Sequence, residues 1–197
     1  YASSANVMWD TAPGDIRFGT TTVNGKERYC LISTGRHADK VHVAFDAETG
    51  KITGLVDAAP AGADVIDAKG GYVAPGLIDL HIHGYLGCDV CDGTRESIRT
   101  ISEGIIANGV TGYLPTTMTV DMKVIKQSLE VCRELKEESK TWNGSTILGV
   151  HAEGPFISES KKGAQDAKYI LKPDAAFVKE YADIIKVISL APETDTE

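Results

Sequence analysis

The chain has 197 residues, 42% hydrophobic and 24% charged, which is ordinary usage for a globular protein with a sizeable core. Its net charge of −8 and pI near 5.1 argue against nucleic acid or an anionic membrane surface as main partner. No stretch approaches the roughly 18 uninterrupted apolar residues of a membrane span, and no basic segment followed by an apolar one opens the chain, so a cytoplasmic protein without membrane contact is expected. The start at Tyr1 without a methionine points to a trimmed or processed end.

Residues 1 to 70 read as β structure. Val41, Val43 and Phe45 alternate with polar residues, Asp46 to Gly50 supply turn chemistry and Ile52 resumes an extended run, which predicts a hairpin. His37 and His42 fall in this region as surface histidines. Lys69-Gly-Gly71 marks a crossing to a second pattern, giving domains 1–71 and 72–197. From Tyr72 strands and helices alternate, the signature of βα units on a parallel sheet. Thr94 is placed to cap a helix with Ile98, Ile101, Ile105 and Ile106 on one face, closed by Gly109. A strand runs from Val110 to Pro115. Asp121 caps a second helix whose Val124, Ile125, Leu129, Cys132 and Leu135 face inward while Glu134, Lys136 and Glu137 face water. The third strand is expected over Thr146 to Ala152, a helix with Pro173 in its first turn bears Phe177 and Tyr181, and Ile184 to Leu190 is the fourth strand.

The four cysteines, Cys30, Cys88, Cys91 and Cys132, are read as reduced thiols, because a chain of this length needs no disulfide framework. Cys88-Asp-Val-Cys91 has the spacing of a zinc-binding pair, but a closed site of two cysteines and two histidines leaves Glu153 unexplained. Asn143-Gly-Ser145 matches a glycosylation sequon and reads as a turn before a strand.

The chemistry lies at the ends of two apolar runs. Ala74-Pro-Gly-Leu-Ile-Asp-Leu-His-Ile-His-Gly84 sets His81 and His83 at i and i+2, on one face of an extended strand, where both imidazoles can reach one ion. Ile147-Leu-Gly-Val-His-Ala-Glu-Gly-Pro-Phe156 does the same for His151 and Glu153, and imidazole with carboxylate suits zinc or a similar divalent ion. Strands delivering polar residues at their carboxyl ends are how a (β/α) barrel builds an active site. Asp79 shares the face of the two histidines and is placed to hydrogen-bond an imidazole; His151 is placed either to orient a ligand or to fill the barrel mouth.

Four strings stand in order: PGLIDLHIHG at 75–84, GVTGYLPTTMT at 109–119, GVHAEGPFI at 149–157 followed by KKGAQ at 161–165, and LAPE at 190–193. Together they resemble the N-acetylglucosamine-6-phosphate deacetylases of the amidohydrolase superfamily, over roughly residues 65 to 193. The resemblance implies an α/β fold, a partial (β/α) TIM-type barrel preceded by part of a small β-sandwich. A complete barrel takes about 250 residues, so residues beyond 71 hold about four βα units at roughly 30 residues each, the first half of such an enzyme. It also implies that Glu153 is the principal metal ligand, with His81 and His83 completing a site for one or two ions, zinc foremost. Ala164 and Gln165 match positions that contact the sugar, Gln165 standing where some members have histidine. Lys161 and Lys162 lie beside them as candidate phosphate attractors or solvated loop lysines, and Glu193 has no assigned role. The aspartate acting as general base, and further histidine ligands, are expected beyond Glu197, so the chain by itself is expected to be inactive.

The activity implied is conversion of N-acetylglucosamine 6-phosphate to glucosamine 6-phosphate and acetate. Hydrolysing an acetamide near neutral pH needs an activated water, a polarised carbonyl and a proton for the leaving amine, and a divalent ion supplies the first two. The rivals are a dihydroorotase-like amidohydrolase, which uses a carboxylated lysine where this chain has EGPF, and a non-catalytic half-barrel acting with a partner chain. The open edges of half a barrel predict association with another copy or with the carboxy-terminal half.

Overall fold

The computed structural model of the chain describes residues 16–23, 26–33, 42–46, 51–56, 58–59, 61–66 and 74–195. They fall into two compact units, Tyr1–Gly76 and Leu77–Glu197. His37, Cys30 and the Lys69-Gly-Gly71 crossing lie outside what is described, Cys30 and His42 as side chains on strands whose backbone is described.

In the first unit, β1 (Ile16–Val23) and β2 (Lys26–Ser33) pair antiparallel in unbroken register from Ile16 opposite Ser33 to Val23 opposite Lys26. The predicted second hairpin is present as β3 (His42–Phe45) and β4 (Ile52–Val56), with the Asp46 amide donating to the Lys51 carbonyl across its base (2.8 Å).

The second unit is α/β, with parallel strands and helices. Strands β5 (Leu77–Ile82), β8 (Val110–Pro115) and β9 (Thr146–Ile147) form one parallel sheet in that order; β10 (Val150–Glu153) and β11 (Ile185–Ser189) form another. A parallel bridge between Thr116 and His151 joins the two. Between β5 and the first helix, a hairpin of β6 (Gly84–Tyr85) and β7 (Cys88–Asp89), absent from the expected pattern, turns through Leu86 and Gly87, both at positive φ. Helix α1 (Arg95–Ile105) begins where expected, the Thr94 hydroxyl accepting from the Ser97 amide. It ends through a short 3₁₀ turn at Gly109, whose φ of 81° few residues other than glycine adopt without cost.

Helix α2 (Met122–Glu138) is capped by Asp121 as expected. Its buried stripe is Ile125, Ser128, Leu129, Cys132 and Leu135; Val124 is instead exposed, one residue and about 100° around the helix from Ile125. The expected third strand is interrupted. The Leu148 amide donates to Tyr113 on one side and the Val150 amide to Ile184 on the other, so the chain changes neighbours at Gly149. A Cβ there would meet the Ile184 carbonyl at 2.8 Å, closer than any side chain permits. Pro173 also falls outside its helix: Asp174 caps α3 (Ala175–Glu180), accepting from Ala176 and Phe177 amides, and Tyr181 lies just past its end.

The core lies between one face of the sheet and the helices, where Tyr113, Ile147 and Val150 meet Ile98, Ile101, Ile125, Leu129 and Phe177. Because side chains alternate along a strand, His151 and Glu153 are forced to the opposite face from Val150 and Ala152. On β5, Leu77, Ile78 and Leu80 are exposed, and among the described residues β8 is the strand that pairs with it. Among the described residues, no helix is long and apolar enough to cross a membrane.

Candidate metal centre

Strand β5 and the residue after it deliver His81 and His83 to one face, and β10 ends in Glu153 on the same side. Glu153 Oε2 stands 3.0 Å from His81 Nε2 and 3.1 Å from His83 Nε2, and the two nitrogens are 3.2 Å apart. Strands separated by about seventy residues of sequence therefore converge on one point, as their positions at strand ends predict.

The chemistry of that point is legible in its hydrogen bonds. His83 Nδ1 lies 3.2 Å from the Thr116 carbonyl oxygen, which can only accept, so Nδ1 carries the proton and Nε2 of the neutral ring presents a lone pair. Glu153 Oε2 is buried and accepts no hydrogen bond, although both imidazole nitrogens are adjacent. The carboxylate oxygen and the His83 nitrogen are both electron-rich, with His81 Nε2 3.2 Å from the latter, and a cation among the three atoms would satisfy them together. Their mutual distances match those of ligands about 2.0–2.1 Å from a tetrahedral ion, which stand roughly 3.3 Å apart. The donor set of two imidazoles and a carboxylate fits a divalent metal ion. Among the described residues it is the one cluster of three or more His, Cys, Asp or Glu side chains able to hold one.

Asp79 does not meet an imidazole. Its Oδ1 accepts from the His81 backbone amide at 2.9 Å, fixing the strand rather than the ring. His151 is buried, with Nδ1 2.9 Å from the Leu80 carbonyl oxygen and Nε2 2.7 Å from the Ser189 hydroxyl. Both nitrogens are thus engaged by protein, which leaves neither for a metal. Its ring packs edge-on against His81, centroids 4.8 Å apart, so it braces that imidazole by contact.

Three residues that the sequence reading passed over hold the site together. The Thr116 hydroxyl accepts from the Ile82 amide (3.0 Å), the Thr117 amide donates to the His151 carbonyl (3.1 Å) and the Thr117 hydroxyl to the Glu153 carbonyl (3.1 Å). With Ser189 they form the setting of the cluster. Their one sequence signal is position: polar residues at the carboxyl ends of buried strands.

Ala164 is exposed, while Gln165 is buried with its Oε1 accepting from the Thr119 amide at 2.5 Å. Thr119 abuts Gly154, so Gln165 anchors its loop next to the strand end that carries Glu153. Lys162 Nζ donates to the Gln165 carbonyl (2.9 Å) and serves the loop; Lys161 is exposed and lines a shallow depression with Ser158, Ser189 and Glu193.

Cys88 and Cys91 take no part in the cluster. Burial pushes the Cys91 thiol up to about 11, against the opposing effect of the Met118 amide donating to its sulfur, and a protonated thiol is a poor metal ligand. Because the raised value keeps this group neutral below about pH 11, alkylation of Cys91 is expected to be slow at pH 8 and to accelerate only as pH approaches 11. Cys91→Ser is expected to leave bound-metal stoichiometry unchanged by elemental analysis. A loss of metal in that variant would put sulfur in the site.

Residues 64–124 match the model of the Amidohydrolase family. Over 126 residues the chain is 37% identical to N-acetylglucosamine-6-phosphate deacetylase of Bacillus subtilis (strain 168), covering 61% of this chain and 32% of that protein. Over 136 residues it is 35% identical to the enzyme of the same name from Lysinibacillus sphaericus, covering 67% of this chain and 35% of that one. Among solved structures, N-acetylglucosamine-6-phosphate deacetylase from Pasteurella multocida superposes with a TM-score of 0.67 at 32% identity, over 74% of this chain and 39% of that chain. The enzyme from Thermotoga maritima superposes at 0.60 and 30% identity, over 79% and 38%. The chain spans about a third of the length of the curated relatives it matches. Sequence and structure agree on one group of relatives: this chain is homologous to part of the N-acetylglucosamine-6-phosphate deacetylases, and its segment 64–124 carries the pattern of the amidohydrolase family.

Proposed function

We propose that the chain forms the metal-binding portion of a deacetylase acting on N-acetylglucosamine 6-phosphate, releasing acetate and glucosamine 6-phosphate. The observation that carries this reading is the buried, hydrogen-bond-free Oε2 of Glu153 facing two imidazole nitrogens at 3.0 and 3.1 Å. Zinc is the favoured ion, given a mixed nitrogen and oxygen donor set. The relatives' names support the substrate.

In this reading His81, His83 and Glu153 hold the ion, which when bound lowers the pKa of water and polarises the acetamide carbonyl. The chain's own residues prepare the site. Thr116 fixes the His83 tautomer, Thr117 fixes the backbone of Glu153, Asp79 fixes that of His81, and His151 braces its ring. Ala164 and Gln165 border the sugar, Gln165 from a loop already pinned to Thr119. The parallel strands of the second unit are read as part of a (β/α) barrel and the two hairpins of the first as part of a β-sandwich, with the division near residues 71 to 76. Exposed Leu77, Ile78 and Leu80 support a covering element, either a second copy or a carboxy-terminal half. The free thiols of Cys88, Cys91 and Cys132 accord with a cytoplasmic setting.

The test is twofold. Zinc titrated into the metal-free protein is expected to raise its melting temperature, by an amount equivalent to about 2.7 kcal/mol at a hundredfold excess over the dissociation constant. The intact gene product, zinc-loaded, is expected to release acetate from N-acetylglucosamine 6-phosphate. No thermal response to zinc, cobalt or iron, or no acetate from the loaded gene product, would overturn the reading.

A further inference from the structure

We infer that Ser189 is a positioning residue for the metal centre, acting through His151 on His81. The inference rests on reading His81, His83 and Glu153 as that centre.

Ser189 ends β11 and is in register with Glu153 on β10, so its side chain lies on the same face of the sheet as both Glu153 and His151. The proton assignment follows from partners. His151 Nδ1 faces the Leu80 carbonyl oxygen at 2.9 Å, an atom with lone pairs alone, and must donate to it. In the neutral imidazole Nε2 is then an acceptor. The Ser189 hydroxyl, 2.7 Å away, must be the donor. The Leu80 carbonyl therefore fixes which nitrogen of His151 bears hydrogen, and one hydroxyl on β11 fills the other, holding the ring in place.

That anchoring reaches the metal ligands by geometry. Leu80 is the residue before His81, so the His151 Nδ1–H ties β10 to β5 at the peptide that leads into the first imidazole. The same ring lies edge-on against His81. Without the Ser189 hydroxyl, Nε2 loses its donor, and the ring can recover a partner there only by turning, which strains or releases its bond to Leu80. The ring of His81 then loses its brace. A serine in a strand next to a glutamate carries no such signal in sequence, because the link runs across three strands.

Two readouts test this. In a long-range ¹H–¹⁵N correlation spectrum of the metal-free protein, His151 should show protonated Nδ1 and bare Nε2, and in Ser189→Ala the Nδ1 resonance should shift and broaden as its bond to Leu80 loosens. Zinc affinity, measured by competition with a chromogenic chelator, should fall about 10–100-fold in Ser189→Ala, the usual cost of losing an outer hydrogen-bond partner, and return to the wild-type value in Ser189→Thr, which restores the hydroxyl. Unchanged zinc affinity in Ser189→Ala, or an unchanged Nδ1 resonance, overturns the inference while leaving the metal reading intact. Equal losses in the alanine and threonine variants, with melting lowered in both, assign Ser189 to packing and overturn it as well. Failure of the wild-type protein to bind zinc overturns both readings together.

Discussion

Glu153→Gln is expected to abolish tight zinc binding while leaving the metal-free protein no less stable than the wild type. The carboxylate is the one anionic donor of the cluster, and a carboxamide oxygen at its position is a neutral, weaker ligand. The loss should exceed the roughly 10–100-fold that removal of an outer hydrogen-bond partner costs, because a direct ligand is removed. Stability should move the other way. Oε2 is buried without a hydrogen bond, and leaving a polar atom so costs about 1–3 kcal/mol. A glutamine NH₂ can instead donate to the bare Nε2 of His83. Thermal melts with and without zinc read both effects: the wild type shifts upward with metal and the variant does not, starting from an equal or higher baseline. A variant that still shifts with zinc, or that melts well below the metal-free wild type, would show that Glu153 serves the fold before the metal.

Gly154→Ala is expected to be a strongly damaging small substitution next to Glu153. Gly154 has φ +71, where a side chain costs about 1–2 kcal/mol. In addition, a Cβ would collide with the Thr119 hydroxyl and stand 3.0 Å from the Thr119 backbone nitrogen and Cα, atoms that cannot turn aside as a side chain can. Overpacking of this kind adds about 1–3 kcal/mol. Zinc affinity should fall too, since Gly154 follows Glu153 and any backbone shift moves the carboxylate. Gly163→Ala is the matched control: its φ is +59 and nothing lies within 4 Å of an added Cβ, so only the conformational cost applies. Urea denaturation of the two variants should separate them by the overpacking contribution. Equal losses would show that the loop at Thr119 yields without cost.

Much of this protein was written locally. The His81 and His83 pair, Glu153 and the strand endings followed from period-two alternation after apolar runs, which brings i and i+2 to one face whatever else the chain does. Caps at Thr94 and Asp121 and the stop at Gly109 were equally local, because a hydroxyl or carboxylate satisfies amides two or three residues away. One local signal was passed over: Asn24-Gly25 between Val23 and Lys26 is the pattern of a two-residue hairpin, and β1 and β2 pair around it. The rest depended on which strands became neighbours. No rule of alternation says that Gly149 meets the Ile184 carbonyl and splits the third strand, that Asp79 finds a backbone amide instead of an imidazole, or that Thr116 and Thr117 clasp the ends of β5 and β10. Ser189 reaching His151, and His151 reaching Leu80, link strands distant in sequence. Such contacts are set by the packing of the parallel sheet against its helices, so the sequence alone determined which residues could serve the metal centre, and the tertiary structure decided which groups hold them in place.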